Sequence, residues 1–187
     1  MVSLMNREAL LPILFHLFRQ YGYDGVSLSK IAEETKLGKA SLYHHFPGGK
    51  AEMMEATLTY SQHWFEENVL QVLRSEEETT YRLRQMCDRL NDLYDEGNQP
   101  CLMATLTTGI GQGVFHHSVK ARLQTFISVL AAVLEEHGLP PQIAQRRAEE
   151  AMITLQGALI MSRGLDDSLP FQRAIAQLPQ KLTQKTL

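Results

Sequence analysis

The spacing of apolar residues between Leu28 and Phe46 leaves the backbone few choices. Leu28, Ile31 and Ala32 share one face of a helix over 28–35, and Leu42 and Phe46 share the inner side of a second over about 39–46. Ser27 stands where the first helix needs an N-cap. Gly38 lies in the short turn between the two. Two short helices joined by a turn containing glycine make a helix-turn-helix, with Ala32 as the small residue at the crossing and Ile31, Leu37, Leu42 and Phe46 as its seal.

A seal on one side exposes the other. At about 100° per residue, Ala40 and His44 point away from Leu42 and Phe46, with Ser41 and Tyr43 beside them, Lys39 in the first turn and His45 nearer the seal. This outer face suits a DNA major groove: Lys donates to guanine edges, Ser meets several bases, and Ala meets a thymine methyl. Tyr and a helix N-terminus hold phosphates. The pair His44–His45 does not suit a metal, because adjacent residues on a helix diverge, whereas a two-histidine helical site uses i, i+4 spacing.

The remaining chain is helical by the same test. No alternating β-branched run and no Asn-Gly hairpin signal occurs. A first helix is expected over about 8–21, with Pro12 near its first turn or at a kink and Gly22 and Gly25 ending it. After Pro47-Gly48-Gly49 a long helix is expected over about 50–73. Others follow over about 81–96, capped by Thr79 or Thr80, then 101–113 (short), 117–137, 141–163 and 169–182, the last capped by Ser168. The expectation is an all-α chain of about nine helices, with a DNA-binding head at 1–49 and a body at 50–187.

Charge agrees with that division. Residues 1–50 hold six Lys and Arg against four acids, a net of +2, and the rest holds 12 against 17, a net of −5. This permits a DNA-binding head on an acidic body. Cys87 and Cys101 are far apart and lack CxxC spacing, which argues against a disulfide scaffold or zinc site and suits a reducing cytoplasm. No leader pattern is expected at the N-terminus, and no apolar stretch approaches the ~20 residues of a membrane span.

The stretch "VSLSKIAEETKLGKASLYHHFPGGK", residues 26–50, resembles the DNA-binding signature of TetR/AcrR-type transcriptional regulators, and "LFRQYGYDG", 17–25, resembles the end of that family's first helix. The resemblance implies an all-helical homodimer bound to a palindromic double-stranded operator, with a small-molecule effector that releases it. It carries DNA-contacting roles onto Ser27, Ser29, Lys39, Ala40, Ser41, Tyr43, His44, His45 and Lys50. Three departures stand out, one of them Pro12 in the first helix. Ser29 occupies a position often basic in the family, and the link "FPGGK" is one residue longer than the commoner spacing.

The resemblance also implies an effector cavity in the body, for which Tyr60, Trp64, Met86, Met103, Phe115 and His117 are candidates. Residues 149–179 resemble the last two helices of many such proteins, which form a four-helix dimer interface. Ala151, Gly157 and Ala158 would allow close approach there, and Leu155, Leu159, Phe171, Ile175 and Leu178 would supply apolar area. Nothing suggests an enzyme or a cofactor. There is no GxSxG, and "GIGQG" at 109–113 lacks both the preceding strand and the spacing of a phosphate loop. Two other readings remain open: a constitutive DNA-binding regulator without an effector, and a small all-α binding protein or enzyme with a vestigial head.

Overall fold

The computed structural model describes residues 6–184, and of Ile110 only the backbone. Among the described residues it contains nine helices, counting the fourth as continuous, and no strand. They are α1 Arg7–Gly25, α2 Leu28–Thr35, α3 Lys39–His45, α4 Gly49–Phe65 continuing through Glu66–Leu70 and Gln71–Leu73, α5 Thr79–Leu93, α6 Leu102–Thr105, α7 Gly109–Glu136, α8 Pro141–Leu165 and α9 Leu169–Thr183. No helix of the described residues is long and apolar enough to cross a membrane.

The chain forms two compact units. The first comprises Met1–His63 and Leu102–His116. Its core is Leu10, Leu14, Leu17 and Phe18 of α1, Val26, Ile31 of α2, Leu42 of α3, Phe46, and Met53, Met54 and Leu58 of α4. Asn6 caps α1 by accepting from the Ala9 amide at 2.9 Å. Pro12 is accommodated because it faces solvent, where water can satisfy the carbonyl that its missing N–H leaves free. Gly22 breaks the helix at φ +67, a conformation open to glycine, and three further residues follow before the chain turns.

The second unit comprises Trp64–Cys101 and His117–Leu187. Its core draws on Val69, Leu70 and Leu73, Leu83, Met86 and Leu90, Phe126, Leu130 and Leu134, and the facing sides of α8 and α9. The helix expected over about 50–73 runs from Gly49 to Leu73 and widens into a π turn at Glu66–Leu70. The Asn68 amide donates to the Trp64 carbonyl at 2.8 Å, engaging an oxygen near the widened turn. Arg74 pairs with Glu66 across it.

Four boundaries differ from expectation. The cap of α5 is Glu78, whose carboxylate accepts from the Tyr81 amide at 3.0 Å. Hydrogen bonds from Thr80 hold that carboxyl below its usual range. Thr79 cannot serve, since its hydroxyl accepts from buried Arg82. Helix α5 stops at Leu93, because Asp95, Glu96 and Gly97 all take positive φ. Helix α7 begins at Gly109, so "GIGQG" forms its first turns, while the Thr107 and Thr108 hydroxyls bond back to Ala104 and Thr105. At α9, Asp167 rather than Ser168 accepts from the Leu169 amide, at 2.9 Å.

Arg82 shows what closes the second unit. Its side chain is 7% exposed and donates to the carbonyls of Leu73 and Ser75, to Thr79, and to Glu136 at 2.7 Å. It thereby satisfies carbonyls at the end of α4 that have no helical donor. Arg82→Met should cost about 2–4 kcal/mol, because it strands those carbonyls. Glu136→Gln should cost under about 1 kcal/mol, since that carboxylate is 60% exposed. Urea denaturation of the two variants checks the contrast. Burial pushes the Cys87 thiol up to about 12, so iodoacetamide at pH 8 should label it only as fast as the chain opens.

Candidate nucleic-acid interface

The interface begins with local backbone chemistry. The Ser27 hydroxyl accepts from the Lys30 amide at 3.1 Å and starts α2. Lys36 closes it in the left-handed conformation, φ +58, a cost tolerated here by a side chain free to extend into water. Gly38 then begins α3, its carbonyl accepting from the Leu42 amide at 3.1 Å. Leu42 and Phe46 are 1% and 0% exposed. Their burial fixes the rotation of α3 about its axis.

With that rotation set, Lys39, Ala40, Ser41, Tyr43 and His44 all lie exposed on one side. The structure brings together the outward residues expected from the wheel. Ser27 and Ser29 are exposed at the start of α2. His45 is half-buried, its ring edge-on to His44 with centroids 5.6 Å apart. Lys50 is also half-buried, and its ammonium donates to the Tyr23 carbonyl at 2.9 Å.

Sequence reading overlooked several supports. Arg7 pairs with Glu52 at 2.9 Å and stacks 4.7 Å over the Phe46 ring. The second oxygen of Glu52 accepts from the Gly48 amide at 2.8 Å. One carboxylate thus ties the start of α1 to the start of α4, and Arg7 covers the end of α3. A Glu four residues after Gly48, at the head of a helix, was the available signal. Lys30 lies 3.4 Å over the ring of exposed Tyr21, adding a cation near Ser29.

The other candidates fall as follows. Tyr60, Met103 and Phe115 belong to the first unit, where Tyr60 meets Phe15 edge-on and Phe115 meets Tyr23. Trp64, Met86 and His117 belong to the second, with Met86 fully buried and His117 exposed. A groove of about 280 Å³ in the second unit is lined by Arg84, Cys87, Asp88, Asn91, Gln172, Ile175, Ala176 and Pro179, and touches none of the six. Among the described residues no three His, Cys, Asp or Glu converge to hold a metal.

On α8 and α9, Ala151, Leu155, Leu159, Phe171, Ile175 and Leu178 are buried within the chain itself. Of the eight residues expected at a dimer interface, only Gly157 and Ala158 retain exposure. The apolar side chains turned to solvent are others: Ile153, Ile160, Met161, Leu165 and Leu169. At helical spacing the four on α8 form one stripe, in which Gly157 and Gly164 leave open space.

Comparison with known proteins fits this geometry. Residues 15–57 match the model of the tetR family of bacterial regulatory proteins. Residues 77–177 match the C-terminal domain of LmrA/YxaF-like transcriptional regulators. The chain is 24% identical over 185 residues to the uncharacterized HTH-type transcriptional regulator YxaF of Bacillus subtilis, covering 96% of each. It is 20% identical over 181 residues to the HTH-type transcriptional regulator LmrA of the same organism, covering 95% of this chain and 96% of that one. A TetR transcriptional regulator from Legionella pneumophila superposes with a TM-score of 0.81 at 20% identity, over 96% of this chain and 98% of that one. One from Agrobacterium tumefaciens gives 0.80 at 20% identity, over 95% and 97%. With one match over the reading head and another over more than half its length, the chain belongs to the TetR family of DNA-binding transcriptional regulators, and it is not an enzyme.

Proposed function

We propose that this regulator is a cytoplasmic homodimeric repressor that a small, largely apolar effector releases from a palindromic operator. The observation that carries the reading is the outward face of α3. Five side chains with groove-compatible chemistry stand on one side of a helix whose other side is sealed by Leu42 and Phe46. In this reading residues 1–49 are the head, and Lys39, Ala40, Ser41, Tyr43 and His44 enter the major groove. Ser27, Ser29 and His45 lie at the phosphate rim.

Dimerisation follows from the stripe on α8. Ile153, Ile160, Met161 and Leu165, with Leu169 of α9, would leave a contiguous apolar surface in water unless a second copy covered it. A two-fold axis makes such a face self-complementary and sets two heads at a fixed spacing. The body, residues 50–187, would house the effector. Release is then linkage: an effector that binds better to a body whose heads are misplaced lowers operator affinity by that differential affinity.

These measurements test the reading. Selection of duplexes from a random library by the purified protein should yield an inverted repeat, and a library that yields no preferred sequence contradicts it. Tyr43→Ala should weaken binding to the selected duplex tenfold or more, with stability changed by less than about 1 kcal/mol. Leu42→Ala should instead cost about 2–5 kcal/mol in chemical denaturation. Ile160→Glu should yield a folded monomer by light scattering that binds a single half-site weakly. An intact dimer would move the interface elsewhere. A thermal-shift screen of apolar compounds that finds no binder, alongside intact binding to the selected duplex, would favour the constitutive reading.

A further inference from the structure

The end of α1 and the first turn of α2 meet at one surface pair. Tyr21, 51% exposed, stands just before Gly22, whose φ of +67 breaks the helix. Gly25 approaches it so closely that a Cβ there would lie 3.2 Å from the Tyr21 Cβ. Val26 is then fully buried and Ser27 caps α2, which brings the first turn of α2 beside the Tyr21 ring. Lys30, in that turn, holds its ammonium 3.4 Å from the ring centroid.

This is not the partner that sequence offers Lys30. Glu33 and Glu34 follow it at i+3 and i+4, both exposed, at the spacing where a helical lysine meets an acid. Among the described residues Lys30 forms an ion pair with neither and lies over Tyr21 instead. Helical side chains lean toward the N-terminus of their helix. The ring therefore keeps the ammonium at the Ser27–Ser29 edge of α2, out of reach of both carboxylates. A surface pair of this kind adds little to the stability of a fold. Its effect is to order a long side chain, which then has fewer rotamers to lose on meeting an anion. The ring covers one side of the ammonium and leaves its remaining donors to the solvent side. The Tyr21 phenol and the exposed Ser29 hydroxyl add neutral donors next to it.

We propose that Lys30 grips a backbone phosphate on the flank of the half-site that α3 reads, with Tyr21 as the residue that positions it. A lysine recognises a phosphate oxygen as a point charge and needs no base edge. Such a contact adds affinity at every sequence and fixes the register in which the head sits on the duplex. Sequence-dependent contacts remain with α3.

The inference rests on the reading that α3 meets DNA. Selection of a duplex by the unmodified protein tests that reading first, and if none is selected both fall. Lys30 is then tested by fluorescence anisotropy on duplexes in which one phosphate at a time is a neutral methylphosphonate. For the unmodified protein, neutralising the phosphate held by Lys30 should weaken binding about fivefold. Lys30→Gln should bind the ordinary duplex about that weakly, and neutralising the same phosphate should cost it nothing further. Its slope of log affinity against log salt should be shallower by about one charge per subunit, with the same loss on selected and mismatched duplexes. Tyr21→Leu keeps the charge and loses the ring, so it should weaken binding about two- to threefold at the parental slope, with melting unchanged. Lys30→Gln with the parental slope, or with parental sensitivity at every phosphate, overturns the proposal. So does a loss confined to the selected duplex, which would place Lys30 on a base, or undiminished affinity in Tyr21→Leu. If Lys30→Gln fails to fold, Lys30→Ala is read by the same criteria.

Discussion

The burial of Leu42 and Phe46 is the constraint on which the rest of the head depends. Helix α3 has only seven residues, too few to be stable alone, so its existence and its rotation both come from the apolar contacts beneath it. Turning the helix by one residue would swing Leu42 out by about 100° and bring a polar group into the core. Burying that group would cost more than any contact to DNA could return. The exposed side is thus set by the core rather than by the nucleic acid, and the reading face exists before any duplex arrives.

The head is held at several points by contacts that have nothing to do with DNA. Glu52 joins Arg7 to Gly48, Arg7 covers Phe46, and Lys50 engages Tyr23. Glu52 through Arg7 and Lys50 through Tyr23 attach the start of α4 to the two ends of α1, and Arg7 also covers the end of α3. Individually such interactions are modest, because Arg7 and Glu52 remain partly exposed. Together they restrict how α4 can tilt without disturbing α3. The second unit has its own fixed point in Arg82, which gathers the end of α4, the start of α5 and Glu136 of α7 around one buried guanidinium. The two ends of α4 are therefore anchored by side chains, with a π turn between them.

Much of this was legible in the sequence because periodicity and glycine placement act locally. Ser27, Gly38 and the Leu42–Phe46 pair announced both short helices, and Gly138 with Pro140-Pro141 announced the start of α8. What was illegible required knowing which side chain outcompetes another. Thr79 was a sound cap by type, yet Arg82 claimed its hydroxyl and Glu78 took the role. Lys50 donates to the Tyr23 carbonyl, a direction that depends on the positive φ of Gly49 and that residue type alone does not announce. Leu155, Leu159 and Phe171 have the apolar character of an interface. Periodicity cannot tell whether such residues face a neighbouring helix of the same chain or a second copy, and here they face inward. The stripe of Ile153, Ile160, Met161 and Leu165 carries the same kind of residue on another arc of α8.

The central claim is that α3, held by its own core, meets DNA with its outer face. Its most direct test is a titration of isotope-labelled protein with the library-selected duplex, followed by backbone amide resonances. The account predicts the largest changes at Lys39–His44 and at Ser27–Ser29, with the amides of α8 and α9 left near their free positions. Saturable binding that leaves the α3 amides unmoved while shifting resonances elsewhere would contradict it.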